Sequence, residues 1–125
     1  MPALQDATPP ADWQAVRTGW PNAEASRFVR VAPLAWHIQR MGEPGAPRCL
    51  LVHGTGASTH SFRDLMPLLA ARFDVLAVDL PGHGFTIGAK GKVLSLPGMA
   101  EALADVLDAL DFAPDLAAGH SAGAA

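Results

Sequence analysis

Leu116-Ala117-Ala118-Gly119-His120-Ser121-Ala122-Gly123 is the stretch from which the fold of this 125-residue chain can be predicted. Its first three residues are apolar and indicate a short strand, which leads directly into a serine with a glycine two positions before it and two after it. Such a strand-to-helix turn holds the serine at a strained backbone angle and leaves room only for small residues on either side. We therefore predict that Ser121 is a catalytic nucleophile and that Gly119 and Gly123 are the glycines of its elbow.

A second glycine-rich stretch, His53-Gly54-Thr55-Gly56, follows the apolar run from Cys49 to Val52. A continuous apolar run of this length is typical of a strand buried on both faces of a parallel sheet. Acyl transfer needs two N–H donors for the developing oxyanion, one from this loop and one from the residue after the nucleophile. We assign these donors to Thr55 and Ala122. The alternative for this loop is an ordinary turn that ends a strand.

Four residues near the predicted strand ends are candidates for the wall of a substrate pocket: His53, Gly54, Phe85 and His120. Asp79, at the end of the next buried strand, is expected to hold loop backbone by accepting its N–H groups. His37 lies in the middle of a predicted strand and is expected to be a half-exposed packing residue. The histidines and the single cysteine show no metal-ligand spacing, so that neither a metal nor a cofactor is predicted.

The remaining sequence predicts alternating elements after an irregular lead-in over residues 1–25. Two runs, 26–31 and 34–41, indicate an antiparallel hairpin broken at Ala32-Pro33. Helices are predicted over 61–71, with a kink or break at Pro67, and after Ser95 as the N-cap. The order β-β-β-α-β-α-β predicts an α/β domain over residues 26–125, in which the hairpin precedes parallel strands with crossover helices on both faces.

Composition excludes several classes of function. The formal net charge is −3, and both signs are scattered, which argues against a nucleic-acid-binding surface. One cysteine permits no intramolecular disulfide and favours a reducing compartment. The first residues lack the pattern of a secretory signal, and no apolar run approaches the roughly 18 residues of a membrane span. We expect a cytoplasmic protein that binds no nucleic acid and has no membrane span.

The segment Gly54-Thr55-Gly56-Ala57-Ser58-Thr59 also permits a different prediction, an NAD(P)-binding Rossmann domain, with Asp79 at a suitable distance. The third glycine position of that fingerprint is occupied by Thr59, where close packing of helix on strand requires Gly or Ala. Two antiparallel strands precede the motif, and the fingerprint does not account for the serine turn. The dinucleotide-binding alternative is therefore the remote one.

Taken together, the His-Gly loop, the stretch from Asp79 to Gly84 and the serine turn resemble the α/β-hydrolase superfamily. Further stretches are similar to one branch, the magnesium-chelatase accessory proteins of bacteriochlorophyll biosynthesis in phototrophic bacteria: Trp20-Pro21-Asn22, Trp36 to Gln39, His53 to Ser61, and Leu94 to Met99. The resemblance implies a role near magnesium insertion into protoporphyrin. It implies a small-molecule substrate or a porphyrin intermediate as ligand, and magnesium-chelatase subunits as partners.

In the α/β-hydrolase order, the acid and the catalytic histidine follow the serine along the chain. We therefore expect this chain to be a fragment that ends at the nucleophile elbow, lacks the acid and the base, and is inactive by itself. Two functions stay open for the complete protein. One is a serine hydrolase of ester or amide-type bonds, and the other is a non-catalytic accessory module that binds a porphyrin or a chelatase subunit.

Overall fold

The computed structural model of the chain describes residues 4–125, which form one mixed sheet with helices against it. The strands are β1 (Gln5–Asp6), β2 (Ser26–Val31), β3 (Leu34–Met41), β4 (Arg48–Val52), β5 (Asp74–Val78) and β6 (Leu116–Gly119), and the α-helices are α1 (Ala11–Val16), α2 (Leu65–Leu69) and α3 (Leu96–Ala109). The strand order in the sheet is β1-β2-β3-β5-β4-β6. Strand β4 pairs in parallel with β5 and with β6, and the other pairs are antiparallel. The predicted α/β fold class is confirmed.

The core lies on both faces of β4 and β5, which explains their continuous apolar sequences. Leu50 and Leu76 face the side covered by α3, where they share a cluster with Val106. Their neighbours along the chain face the opposite side, which Met66 of α2 covers: this second cluster contains Cys49, Leu51, Phe62, Met66, Val75 and Ala77. Because successive side chains of a strand point to opposite faces, a strand covered on both sides must be apolar at every position.

The two main helices begin where their prolines can be tolerated. In α3, the Ser95 hydroxyl accepts a hydrogen bond from the Gly98 N–H at 3.1 Å, and Pro97 lies in the first turn, as the sequence predicts. The helix predicted over 61–71 is instead a 3₁₀ turn, Thr59–Phe62, followed by the short α2. This break places Pro67 in the first turn of α2, where a missing N–H leaves no helical hydrogen bond unmade. No helix within residues 4–125 is long and apolar enough to cross a membrane.

The N-terminal segment is more ordered than the irregular lead-in expected for residues 1–25, of which residues 1–3 lie outside the described part. Strand β1 pairs antiparallel with β2, and α1 buries Trp13, which is 4% exposed. The Trp13 ring lies 5.5 Å from Phe28 and 5.0 Å from Phe85, measured between ring centroids. Strand β1 has two residues and is too short to show a periodicity in the sequence. Helix α1 packs on the rest of the fold through one buried tryptophan, Trp13.

Candidate active site

Ser121 lies at the turn between β6 and a 3₁₀ turn, Ser121–Ala124, at the carboxyl end of a parallel strand. Its φ angle is +55°, in the left-handed region that non-glycine residues rarely adopt. The preceding residue is tied to the adjacent strand, since the His120 N–H donates to the Val52 carbonyl oxygen at 3.0 Å. A left-handed serine is the kind of local strain that is found at functional sites and costs on the order of 1–3 kcal/mol.

The glycines on either side of this turn stand where no side chain fits. A Cβ at Gly119 would lie 2.5 Å from the carbonyl carbon of Gly123 and 2.6 Å from the Cα of Ala124. A Cβ at Gly123 would lie 2.5 Å from the carbonyl oxygen of His53. All of these are backbone atoms, which cannot move aside as a flexible side chain can. The tightness of the turn therefore requires glycine at both positions.

The loop after β4 lies directly against the serine turn. A Cβ added at Gly54 would be 3.1 Å from the His120 carbonyl oxygen and 3.3 Å from the Ser121 Cβ. Within residues 4–125, no hydrogen bond uses the N–H of Thr55 or of Ala122, so both groups are available to a ligand. Thr55 is exposed and Ala122 is partly buried. The two N–H groups assigned as oxyanion donors thus belong to backbone segments that touch each other.

His53 stabilises the loop after β4 and is not exposed to a ligand. Its ring is fully buried, and its Nε2 accepts a hydrogen bond from the Leu80 N–H at 2.9 Å. Because Nε2 accepts, the proton of the neutral ring is on Nδ1, which donates to the Gly54 carbonyl oxygen at 2.7 Å. Burial lowers the pKa of His53 and favours this neutral form. The ring therefore fastens the loop after β4 to the loop after β5.

A cavity of about 390 Å³ opens beside the serine turn, and its lining is mostly apolar. Its walls come from the ends of β4 and β5, the first half of α3 and the residues after Ser121: Val52, Leu80, Leu96, Pro97, Met99, Ala100, Leu103, Ala122, Gly123 and Ala125. The four residues predicted as pocket wall, His53, Gly54, Phe85 and His120, are not among them. Phe85 instead packs edge-on against Trp13 and Trp20, each with ring centroids 5.0 Å away. Sequence spacing could not show this, because the N-terminal tryptophans that cover Phe85 are far away along the chain.

Asp79 is fully buried and joins three segments near the site. One carboxylate oxygen accepts from the Thr59 N–H at 2.8 Å, and the other accepts from the Phe85 N–H at 3.0 Å and from Nδ1 of His37 at 2.6 Å. Burial alone would raise the pKa of Asp79, but the hydrogen bond from His37 and those from the two N–H groups outweigh it and lower the pKa. The predicted role of Asp79 as a support for loop backbone is confirmed.

The expectation that His37 is a half-exposed packing residue is wrong. His37 has no exposed surface, and its Nε2 lies 2.8 Å from the Ser26 hydroxyl. Trp13 of α1 covers the ring, with centroids 5.0 Å apart, and Phe28 packs on it as well. This error follows from the expectation that residues 1–25 are irregular, since an irregular N-terminal segment would have left that face of the hairpin open to water.

The buried Asp79 carboxylate predicts an acid-sensitive stability. Its pKa is lower in the folded protein than the value near 3.9 expected when unfolded, so it stabilises the fold above that pH, and the contribution is lost as the pH falls through the folded pKa. The loss is steepest below about pH 4, with a slope of at most about 1.4 kcal/mol per pH unit for one group. Urea unfolding of the complete gene product between pH 6 and pH 3 measures it. Asp79→Asn should reduce the slope of the unfolding free energy against pH, whereas Asp64→Asn, at an exposed carboxylate, should leave that slope unchanged. An equal slope in both variants would contradict the assignment of the acid sensitivity to Asp79.

Within residues 4–125, no group of three or more His, Cys, Asp or Glu side chains is arranged to hold a metal ion. At the serine turn, the structure places a serine hydroxyl beside the backbone of the loop after β4 and an apolar cavity. No hydrogen bond within this part of the chain involves the Ser121 hydroxyl.

Comparison with known proteins identifies the family and several relatives. The family described as alpha/beta hydrolase fold matches residues 47–125. The magnesium-chelatase 30 kDa subunit of Rhodobacter capsulatus is 40% identical over 114 residues, which are 91% of this chain and 40% of that protein. A pimeloyl-(acyl-carrier protein) methyl ester esterase of Neisseria meningitidis is 53% identical over 47 residues, or 37% of this chain and 18% of the esterase.

Solved structures share the same architecture. A hydrolase from Pseudomonas aeruginosa superimposes with a TM-score of 0.71 and 26% sequence identity, over 82% of this chain and 38% of that one. The chain spans 40% or less of the length of these relatives. The predicted resemblance is confirmed: the chain belongs to the α/β-hydrolase fold family and is similar, over most of its length, to a magnesium-chelatase subunit.

Proposed function

We propose that the complete protein is a serine hydrolase that cleaves an ester or amide-type bond with Ser121 as nucleophile. The observation that carries the proposal is the left-handed backbone of Ser121, with φ of +55°, in a turn that closes only with glycine at 119 and 123. Strain of this kind is retained where it presents a reactive side chain. The turn projects Ser121 into solvent beside the Gly54 backbone, where a substrate carbonyl can approach it.

In this proposal, the Ser121 hydroxyl attacks the carbonyl carbon, and the oxygen that becomes negative is held by the N–H groups of Thr55 and Ala122. Preorganised backbone donors of this type are worth about 10²–10³ in rate each. The acid and the histidine that activate the serine follow it along the chain in this family. The apolar cavity beside Ala122 accommodates the hydrocarbon part of the substrate.

A second candidate function, binding without catalysis, is favoured by the 40% identity to a magnesium-chelatase subunit over 91% of this chain. We propose that the protein acts near magnesium insertion, with a porphyrin intermediate as its ligand and chelatase subunits as its partners. The same apolar cavity would then bind a ligand that is not cleaved. Common fold alone does not decide between the two functions, because α/β-hydrolase folds support both catalysis and binding.

Fluorophosphonate labelling of the complete gene product tests the catalytic proposal. Only an activated serine reacts rapidly with this probe, so we expect one fast label on the peptide that contains Ser121, and we expect Ser121→Ala to remove it. Ser61 is also exposed and lies near the same loop, so Ser61→Ala is the matched control and should label like the wild type. Slow labelling of both serines at the same rate would reject the hydrolase and favour the binding function.

A further inference from the structure

A second serine, far from Ser121 along the chain, is part of a buried chain of hydrogen bonds. The Ser26 hydroxyl lies 2.8 Å from Nε2 of His37, and Nδ1 of the same ring lies 2.6 Å from the Asp79 carboxylate. His37 and Asp79 have no exposed side-chain surface. These are hydrogen-bond distances, and they join a hydroxyl to an imidazole whose other nitrogen is held by a carboxylate, as in a serine-hydrolase triad.

The carboxylate fixes the direction of the hydrogen bond between His37 and Asp79. Asp79 is a carboxylate and can only accept, so Nδ1 of His37 carries a proton and donates it. In its neutral form, which is the form that acts as a base, the ring accepts at Nε2, and the Ser26 hydroxyl then donates to it. Nε2 of Gln39 in turn donates to the Ser26 oxygen at 3.1 Å, and the same Gln39 amide is held by the Pro21 carbonyl oxygen. The Ser26 hydroxyl therefore lies within hydrogen-bond distance of an imidazole that a carboxylate orients.

Ser26 is also within reach of a ligand. It lies in the lining of a cavity of about 310 Å³ between the N-terminal segment and β2, a strand that lies toward the opposite edge of the sheet from β6. The lining carries three charged side chains, Asp6, Arg17 and Arg27, of which Arg27 is paired with Asp6 at 3.0 Å. Within residues 4–125, Arg17 has no carboxylate partner. The cavity that Ser26 lines is thus also lined by one guanidinium that has no carboxylate partner in the described part of the chain.

We propose that Ser26 is a second reactive serine, with His37 as its base and Asp79 as the positioning residue, and that it accepts acyl groups from small esters whose acyl part carries a carboxylate. The Ser26 oxygen forms a bond to the ester carbonyl carbon while its proton passes to Nε2 of His37. The bond from that carbon to the alcohol oxygen then breaks, and the alcohol leaves with the proton from His37. Attack by one water molecule in the reverse sense releases the acid and restores the serine. The inference does not depend on Ser121.

The test uses the complete gene product with Ser121→Ala, so that any remaining reactivity is separate from the proposed active site. After exposure to a fluorophosphonate, peptide mass spectrometry compares the labelling rate of the Ser26 peptide with that of the exposed Ser61 peptide. We expect Ser26 to label faster. His37→Gln, which removes the base, should lower the Ser26 rate on the order of 10²-fold, the usual contribution of a general base. Equal labelling rates for Ser26 and Ser61 would overturn the proposal.

A separate experiment tests the substrate class, and its result does not depend on whether His37→Gln folds. Acylation of Ser26 by mono-p-nitrophenyl succinate is compared with acylation by p-nitrophenyl acetate in the same Ser121→Ala protein. Arg17→Gln should lower the preference for the succinate ester about two- to fivefold, as expected for a solvent-exposed ion pair. No acylation of Ser26 by either ester would reject it as an acyl acceptor, and a preference unchanged by Arg17→Gln would reject the carboxylate-bearing class.

Discussion

Replacing Ser121 by alanine in the complete gene product is expected to lower turnover of an ester substrate on the order of 10⁶-fold, as loss of the nucleophile does in a serine-protease triad. The substitution removes one oxygen from an exposed side chain and leaves the left-handed backbone as strained as before, so the fold should be preserved. Hydrolysis of short p-nitrophenyl esters, with circular dichroism as a check of folding, measures the effect. Ser61→Ala is the control and should retain the wild-type rate.

The same variant separates the two proposed functions. If the protein acts by catalysis, Ser121→Ala should also abolish its contribution to formation of the magnesium porphyrin in cells. If it acts by binding, the variant should support the pathway as well as the wild type does. An unchanged pathway together with unchanged ester hydrolysis would contradict the assignment of Ser121 as nucleophile.

Gly123→Ala is expected to have the largest effect on structure, although it adds only one methyl group. The new Cβ would lie 2.5 Å from the carbonyl oxygen of His53 and 2.8 Å from the carbonyl carbon of Val52. To relieve this overlap, either the serine turn or the end of β4 must move, and overpacking against backbone costs about 3 kcal/mol or more. Urea unfolding should therefore show a large loss of stability, and fluorophosphonate labelling of Ser121 should be lost with it.

Gly19→Ala is the matched control for this prediction, because a Cβ at Gly19 would meet nothing within 4 Å. Where the backbone permits it, replacement of glycine by alanine stabilises a protein by about 0.4–1 kcal/mol through the unfolded state. Gly19→Ala should thus be neutral or slightly stabilising and should keep the label. Similar unfolding midpoints for the two variants would show that the serine turn can accommodate a Cβ at Gly123 and would contradict this prediction.

The contacts that hold the site residues in place could not all be predicted from local sequence patterns. The strands and the glycine turn follow from local rules, since apolar runs, a proline in the first turn of a helix and a glycine-flanked serine act over a few residues. The Leu80 partner of His53 is 27 positions away, the side-chain partners of His37 are 11 and 42 positions away, and no periodicity connects them. The tryptophans that pack on Phe85 lie in the N-terminal segment. The error at His37 arises from such a distant contact, with Trp13 of α1.

The sequence by itself determined the fold class, the hairpin at 26–41, the two buried parallel strands and the position of Ser121 at a strand end. Only the tertiary structure decided which polar groups meet: that His53 joins two loops, that Asp79 supports three segments, and that the Ser26 hydroxyl meets a buried imidazole. The physical reason is that backbone geometry is set by neighbours along the chain. A hydrogen bond between side chains, in contrast, depends on the packing of several segments to within a fraction of an ångström.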